Sequence, residues 1–325
     1  MKLTTAQSRK EYRELSEAEQ SIPIFSQAWW LDAVAGDNWD AVIACKGSRV
    51  VGSLPFISRR RFGFTLLTQP KLAQTLGPWI RPSNKSYPNA LSYEKDVLTA
   101  LAEALPPYDY YRQNWHCEQQ NWLPFYWRGF EQSTRYTYRL NGLDDEKLLW
   151  SGFKENIRRE IRKARNRYEI AVRPADTLDE FLQLNQMTFK RQGRRVPYSN
   201  ELVERIDQAA VARSARDCLV AVDPQGHVHA GAYVVRHSDT AYYLMGGGDP
   251  ALRKSGATSL VMWEAIRNQP ESVDIFDFEG SMIEPIERFF RAFGAKQVPY
   301  LRVWRVGSRL LRGALCAREI IKGSS

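Results

Sequence analysis

Short apolar runs bounded by turn residues alternate along this chain with longer stretches of helical spacing, a pattern that predicts an α/β protein. Residues 27–35 read as a short aromatic helix. Asp40-Ala-Val-Ile-Ala-Cys45 and Val50-Val-Gly-Ser-Leu-Pro-Phe-Ile57 flank the turn Lys46-Gly-Ser-Arg49 and predict a hairpin, followed by a basic loop, Ser58-Arg-Arg-Arg-Phe-Gly63. Helical spacing over 93–105 stops at Pro106-Pro107, and aromatic-rich strands follow at 108–115 and 136–140. Residues 146–167 read as one strongly basic helix. Two more span 177–190 and 200–213, the first with Asp179 and Glu180 in its opening turn, where the helix dipole favours acids. A second hairpin joins Cys218-Leu-Val-Ala-Val222 to His229-Ala-Gly-Ala-Tyr-Val-Val235, and a strand at 240–246, a helix at 257–267 and a buried strand at 273–278 follow. Strand, turn and strand, then helix and strand, recur in both halves. The recurrence implies a structural duplication, two domains packed tightly with a cleft between them.

Composition narrows the class. The chain has 325 residues, 43% hydrophobic and 26% charged, as expected of a soluble protein with a real core. Ten tryptophans suggest aromatic-lined clefts. A net charge of +9 makes polyanions plausible partners: RNA, nucleotide or pyrophosphate groups, or an anionic membrane surface. Cys45, Cys117, Cys218 and Cys316 lie far apart with no CxxC pair, which excludes a zinc ribbon and fits reduced thiols in a cytoplasm. The polar amino terminus is no signal peptide, and no apolar run approaches the roughly 20 residues of a membrane span. The expected location is cytoplasmic, with a peripheral contact at the inner membrane surface if the basic, leucine-rich residues 305–322 lie on anionic lipid.

Four places carry candidate chemistry. Gly246-Gly-Gly-Asp-Pro-Ala-Leu-Arg-Lys-Ser-Gly-Ala-Thr258 joins a strand to a helix, where backbone N–H groups and the dipole attract phosphate. Arg253, Lys254, Gly256 and Ala257 would cradle a pyrophosphate or the end of a nucleic acid; the alternative is an ordinary glycine turn before a helix. The helix with Lys154, Arg158, Arg159, Arg162, Lys163, Arg165 and Arg167 reads either as an anion-binding face or as a solvated helix paired with Glu155, Glu160 and Glu169. Thr188-Phe-Lys-Arg-Gln-Gly-Arg-Arg195 closes a helix with cations that suit the dipole or an acidic substrate. Finally, Asp274-Ile-Phe-Asp-Phe-Glu-Gly-Ser-Met282 places Asp277 and Glu279 on one face of a short strand, with Phe276 and Phe278 on the other. Asp277 or Glu279 would serve as general base, and Arg288 or Arg291 would meet a phosphate or an oxyanion, unless these charges pair with one another. His227 and His229 share a strand face, but third and fourth ligands at suitable spacing are not evident, so no metal is expected. GxSxG, HExxH and a Ser-His-Asp ordering are also missing from the sequence.

The order of these motifs resembles the FemABX-like branch of the GNAT acyltransferase superfamily. The Gly-Gly-x-Asp-Pro turn follows a Tyr-Tyr strand, then come an Arg-x-x-Gly loop, Phe-Asp-Phe-Glu-Gly-Ser, and Phe289-Phe-Arg-Ala-Phe-Gly294. Upstream, Asn156-Ile-Arg-Arg-Glu-Ile-Arg-Lys-Ala164, Thr188-Phe-Lys-Arg191 and Ser26-Gln-Ala-Trp29 resemble the family's basic helix, its Thr-x-x-Arg helix end and its amino-terminal Gln-x-Trp signature. The resemblance covers most of the chain and is strongest from about 135 to 300. It implies two GNAT-like domains, each a mixed twisted sheet flanked by helices: residues 1–140, residues 141–300 with the donor loop, and a segment 301–325 returning to the first domain. It also implies transfer of an acyl or aminoacyl group to a small-molecule or peptide amine in cell-envelope or polysaccharide synthesis. The donor would be acyl-CoA or aminoacyl-tRNA, with tRNA then a partner and no cofactor beyond this co-substrate. Carried over, Arg191 would contact acceptor phosphates, Tyr242 or Tyr243 would line the acceptor cleft, and Phe289, with Phe290 and Arg291 beside it, would shape the reacting centre. Arg253, Lys254 and Gly256 would match the donor pyrophosphate loop, with Thr258 where a small residue is expected. Phe290 stands where the peptidoglycan branch has a lysine, and no segment is long enough for the helical arm of tRNA-binding members. The competing expectation is a non-catalytic nucleic-acid-binding protein using the basic helix 154–167.

Overall fold

A computed structural model describes residues 3–280 and 282–313. The chain divides into two compact units: one runs to Arg135 and takes up the chain again at Pro299, and the other is Tyr136–Val298. The first unit contains β1 (Thr4–Gln7), α1 (Arg9–Ala18), α2 (Ala28–Ala35), β2 (Trp39–Lys46), β3 (Arg49–Arg61), β4 (Phe64–Thr68), the short β5 (Trp79–Ile80), α3 (Tyr87–Glu103), β6 (Tyr110–Asn114) and α4 (Leu123–Tyr126). β7 (Glu131–Asn141) leads into the second unit, which continues with α5 (Glu146–Gly152), α6 (Glu155–Arg167), β8 (Ala171–Pro174), α7 (Leu178–Arg191), α8 (Asn200–Val211) and β9 (Arg216–Val222). It ends with β10 (Val228–His237), β11 (Thr240–Gly248), α9 (Ala257–Arg267), β12 (Ile275–Asp277) and α10 (Glu284–Ala292), before β13 (Lys296–Val306) returns to the first unit.

The duplication is written in the strand order. The first unit's sheet runs β1-β2-β3-β4-β6-β13 and the second unit's runs β8-β9-β10-β11-β12-β7. In each, all neighbouring pairs with a defined register are antiparallel except one, β4 with β6 and β11 with β12. In each, two helices follow the first strand, a three-strand meander follows them, and a helix crosses over to the parallel strand. The strand beyond the parallel pair comes from the far end of the other segment: β13 pairs with β6, and β7 pairs with β12. α9 shows why the second unit tolerates so apolar a crossover. Every residue from Ser259 to Ile266 is buried, because the helix lies on β9 and β10 with α6 on its other side. α7 is held at its start by Thr177, whose hydroxyl accepts from the Glu180 N–H at 3.3 Å, while Arg173 holds the Glu180 carboxyl at 2.6 Å.

Three readings of the sequence change here. The basic stretch 58–61 is strand, not loop, because Ile57 to Arg61 pair with Thr68 to Phe64 and carry the hairpin to its tip. Residues 146–167 form two helices, since the extended backbone of Phe153 and Lys154 separates α5 from α6. The polar amino terminus holds β1 and an amphipathic α1 capped by Ser8 that buries Tyr12 and Leu15. Its polar face dominated the pattern and hid the narrow apolar stripe. The carboxy-terminal reading falls partly outside the described residues: Arg302–Val306 pair with β6, whereas 314–325 are not described. No described helix is long and apolar enough to cross a membrane.

Candidate active site

The second unit's sheet opens beside β11. β11 and β12 are in register only from Thr240–Tyr242 opposite Ile275–Asp277. Past that point the chain after β12 turns to β7, with the Phe278 N–H donating to the Tyr138 carbonyl at 2.9 Å. Among the described residues, β11 from Tyr243 to Gly248 keeps β10 on one side and has no registered strand on the other. Its pairing to β10 jumps from Val234–Tyr243 to Tyr233–Met245, so Leu244 is the extra residue of a bulge. A bulged strand with an open edge offers backbone donors and acceptors to an extended ligand.

α7 fixes the far end of this strand. A Cβ on Gly247 would stand 2.5 Å from the Asn185 nitrogen and the Leu184 carbonyl carbon, so the helix lies directly on the strand backbone. The Asn185 side-chain amide donates to the Gly246 carbonyl at 2.8 Å, and the Gly248 N–H donates to the Thr188 hydroxyl at 3.0 Å. Gly247, inside the stretch read as the connection to the helix, is therefore a strand residue that admits α7. Tyr198, which the sequence did not mark, donates to Asn185 at 3.1 Å, and burial pushes its hydroxyl up to about 12 against that bond. Its only sequence signal was an aromatic between Pro197 and the helix cap Ser199. Half-buried Tyr243 packs edge-on to Phe290 at 6.0 Å, and burial, with Tyr198 nearby, raises its hydroxyl too. Tyr242 is buried, between Val235 and Asp277 in the sheet.

The loop after β11 begins at Asp249, whose carboxylate accepts from the Ala251 N–H at 2.7 Å, and tightens into a single 3-10 turn at Arg253–Ser255. Arg253 and Lys254 point to solvent; Gly256 and Ala257 are buried at the start of α9. Gly256 is left-handed, with φ 86°, and lies against the Glu160 backbone of α6. Behind the loop runs a relay between residues of separate elements. Ala257 N–H donates to the Ser255 hydroxyl at 3.3 Å, Ser255 meets His229 Nδ1 at 2.9 Å, and His229 Nε2 meets Asp223 at 3.1 Å. One tautomer satisfies the whole chain: Ser255 donates to Nδ1, and Nε2–H donates to the carboxylate. Burial alone would raise Asp223, but bonds from His229 and His227 outweigh it and hold the carboxyl well below the usual range. The two histidines thus brace a turn, and among the described residues no group of three His, Cys, Asp or Glu is placed to hold a metal.

The stretch around Asp277 departs most from expectation. β12 ends at Asp277, and Glu279 takes a left-handed φ of 56°, so the strand alternation that aligned the two carboxylates breaks. Asp277 is buried and bound to Arg139 Nε at 2.7 Å, to the Thr137 hydroxyl and to the Glu279 N–H at 2.8 Å. Its oxygens are held by structure, so the sequence's pairing of it with Glu279 as a base is corrected. Glu279 differs. Burial, with Asp277 beside it, pushes its carboxyl well above the ordinary glutamate range. Arg291 is bound to Glu287 at 2.7 Å and Arg288 to Glu284, both within α10, rather than turned to a reacting group. Phe290 is core, ringed by Tyr243 and by Phe278 at 5.1 Å, while Phe289 is partly buried; Phe290 thus leaves the site. Arg191 stands exposed at the end of α7.

On α6 the acids take up much of the charge. Glu155 binds Arg158 and Arg162, Glu160 binds Lys163, and Arg165 reaches Glu264. The helix is a packed and partly neutralised support for the loop at Gly256, with Lys154, Arg159 and Arg167 still exposed.

An α/β unit with a bulged, half-open strand running into a left-handed turn and a helix amino terminus defines a GNAT fold. Residues 151–284 match the acetyltransferase (GNAT) domain family. Among solved structures the chain is similar to FemX, at 14% identity and a TM-score of 0.66, covering 93% of this chain and 97% of that one. It is also similar to a tandem GNAT protein from the clavulanic acid biosynthesis pathway, at 12% identity and a TM-score of 0.55, covering 93% and 98%. A third is the C-terminal domain of a putative lysylphosphatidylglycerol synthetase from Agrobacterium fabrum, at 11% identity and a TM-score of 0.54, covering 96% of each. No curated protein sequence matches significantly. The FemABX-like resemblance of the sequence thus extends to the fold, a tandem pair of GNAT-like units.

Proposed function

We propose that the protein is an N-acyltransferase of FemABX-like type. A donor phosphate seats at the 253–257 turn of the second unit, and the acyl-bearing arm of the donor lies along the open edge of β11. The observation that carries this reading is the junction itself: an unpaired strand edge leading within eight residues to exposed Arg253 and Lys254 and to the buried start of α9. Amide formation by direct attack needs alignment, a route for the amine proton and donors for the oxyanion, and no metal. Glu279 is the carboxyl in this unit that burial, with Asp277 beside it, makes more basic than an ordinary glutamate, so its ionised form would accept the amine proton. Acyl-CoA and aminoacyl-tRNA both carry the phosphates the turn would hold. The acceptor amine, in cell-envelope or polysaccharide synthesis, and a cytoplasmic site of action follow from the resemblance alone. The nucleic-acid-binding alternative is weaker because Arg158, Arg162, Lys163 and Arg165 are bound to acids, which reduces the free charge of this face.

Two measurements test this. Acetyl-CoA should raise the thermal midpoint of the wild type, and Arg253→Ala, an exposed change, should lose that protection while its own midpoint stays within a degree or two. If neither CoA thioesters nor charged tRNA protects the protein, the reading fails. Glu279 adds a signature in pH. Because its folded pKa is raised, the stability it contributes is complete below the ordinary glutamate range and is lost as pH rises through the folded value. Glu279→Gln should therefore gain on the wild type as pH rises, while transfer activity drops at all pH. Equal stability profiles for the two proteins would show that Glu279 is not held neutral.

A further inference from the structure

The β3–β4 hairpin reaches past its neighbours in the first unit's sheet. β2 accompanies β3 only as far as Ile57, and β6 accompanies β4 only from Leu66. Beyond them Arg59, Arg60 and Arg61 pair with Leu66, Thr65 and Phe64, and Phe62-Gly63 closes the tip. Both tip residues have positive φ, 50° and 82°, the type I′ turn that suits a twisted hairpin. Asparagine or aspartate is the ordinary residue at the first of these positions. Here it is a phenylalanine, 85% exposed, and folding gives no reason for that choice. Alternation places Arg59 and Arg61 on one face of the ribbon and Arg60 on the other. All three are exposed, and among the described residues no carboxylate is ion-paired with them. Of the acids at the hairpin's root, Asp37 binds Arg9 at 3.1 Å, Asp40 accepts from Gln7 at 2.7 Å, and Asp109 accepts from the Thr65 N–H at 2.8 Å. Half-buried Phe64 stands opposite Arg61, and the Arg61 guanidinium lies 5.2 Å over the Phe62 ring.

Cations alone would do no more than guard an open strand edge against pairing. An exposed aromatic at the tip works against that purpose, and the combination suits a different one. An anionic lipid surface meets the ribbon end-on. The ring then enters the boundary between headgroups and acyl chains, and cations on both faces reach phosphates around it. A nucleic-acid strand lying along the ribbon would meet the cations of one face only. We propose that the tip of the β3–β4 hairpin docks the first unit onto an anionic lipid bilayer, Phe62 entering it and Arg59, Arg60 and Arg61 holding the lipid phosphates. The docking is independent of the donor turn and of the transfer reaction.

Vesicles of phosphatidylglycerol mixed with phosphatidylcholine, and of phosphatidylcholine alone, are the probes, sedimented with the full chain. The wild type should sediment with the first and stay in solution with the second, and salt should weaken the binding. Phe62→Asn isolates the ring, because asparagine suits the left-handed position and keeps the turn. Its thermal midpoint should equal or exceed that of the wild type, while its partition onto anionic vesicles falls roughly tenfold. Arg59→Gln/Arg60→Gln/Arg61→Gln should bind about a hundredfold more weakly, at about fivefold for each charge near the surface. Lys154→Gln/Arg159→Gln/Arg167→Gln removes the same net charge from exposed positions on α6 and should sediment like the wild type. Equal loss in the two triple variants would reduce the effect to net charge and overturn the site. So would wild-type sedimentation of Phe62→Asn or of the hairpin triple variant, or a wild type that ignores anionic vesicles. An oligoribonucleotide bound by the wild type and released by the hairpin changes, with no vesicle binding, would overturn it in favour of a nucleic-acid contact.

Discussion

Asp277→Ala is expected to destabilise the protein by roughly 3–5 kcal/mol, because it removes the buried carboxylate that binds the Arg139 guanidinium. The pair's side chains are only 9% and 6% exposed, so water cannot replace the lost partner. The same change strips the Thr137 hydroxyl and the Glu279 N–H of their acceptor, and so loosens the turn that holds Glu279 left-handed. Removing both partners should be far milder: Arg139→Met/Asp277→Leu should recover most of the loss, since an apolar pair of similar volume carries no desolvation penalty. Urea unfolding of the two single variants and the double closes the cycle. A loss below about 1 kcal/mol for Asp277→Ala would mean that the carboxylate is not committed to Arg139. It would then return as a candidate base beside Glu279. Full loss of stability with recovery in the double variant leaves Glu279, rather than Asp277, as the candidate base.

That contrast between two carboxylates shows where sequence pattern stops. Period-two alternation placed Asp277 and Glu279 on one face, and it was sound up to the last residue of β12. What broke it was one left-handed residue, and nothing in the identity of a glutamate announces φ 56°. Meanders, crossover helices and their repetition were legible because each is a local pattern of apolar spacing bounded by Gly, Pro or a capping residue. Of the exchange of β7 and β13, only the return of the chain after 300 to the first unit was read, because a strand carries no mark of which sheet will accept it. The donor turn was legible in outline for the same local reason. Gly247 was not legible as a packing residue, since a glycine that admits a helix and one that admits a phosphate look alike in sequence. Tyr198 and the Asp223–His229–Ser255 relay join residues from separate elements, and only folding brings them together.

Gly256 is where the fold and the proposed chemistry depend on the same atom, so Gly256→Ala should fail in both respects. At φ 86° an alanine is strained by about 1–2 kcal/mol. Its Cβ would also collide with the Glu160 carbonyl oxygen, a backbone atom in the middle of α6 that cannot swing aside as a side-chain end could. Overpacking of that kind adds about 1–3 kcal/mol, for a total loss of roughly 2–5 kcal/mol. Gly226 supplies the control: it has the same φ of 86° but open space around its Cβ position, so Gly226→Ala should show the strain alone. The difference between the two variants in urea unfolding isolates the contact with α6. For function, relief of the collision requires α6 and the first turn of α9 to separate, which would draw the Ala257 N–H off Ser255 and misalign the backbone that faces the donor. Acetyl-CoA should then give Gly256→Ala no thermal protection at a concentration that protects Gly226→Ala fully. If Gly256→Ala is destabilised as expected yet still binds acetyl-CoA with wild-type affinity, the turn is a packing joint, and the donor phosphates must be held elsewhere in the unit.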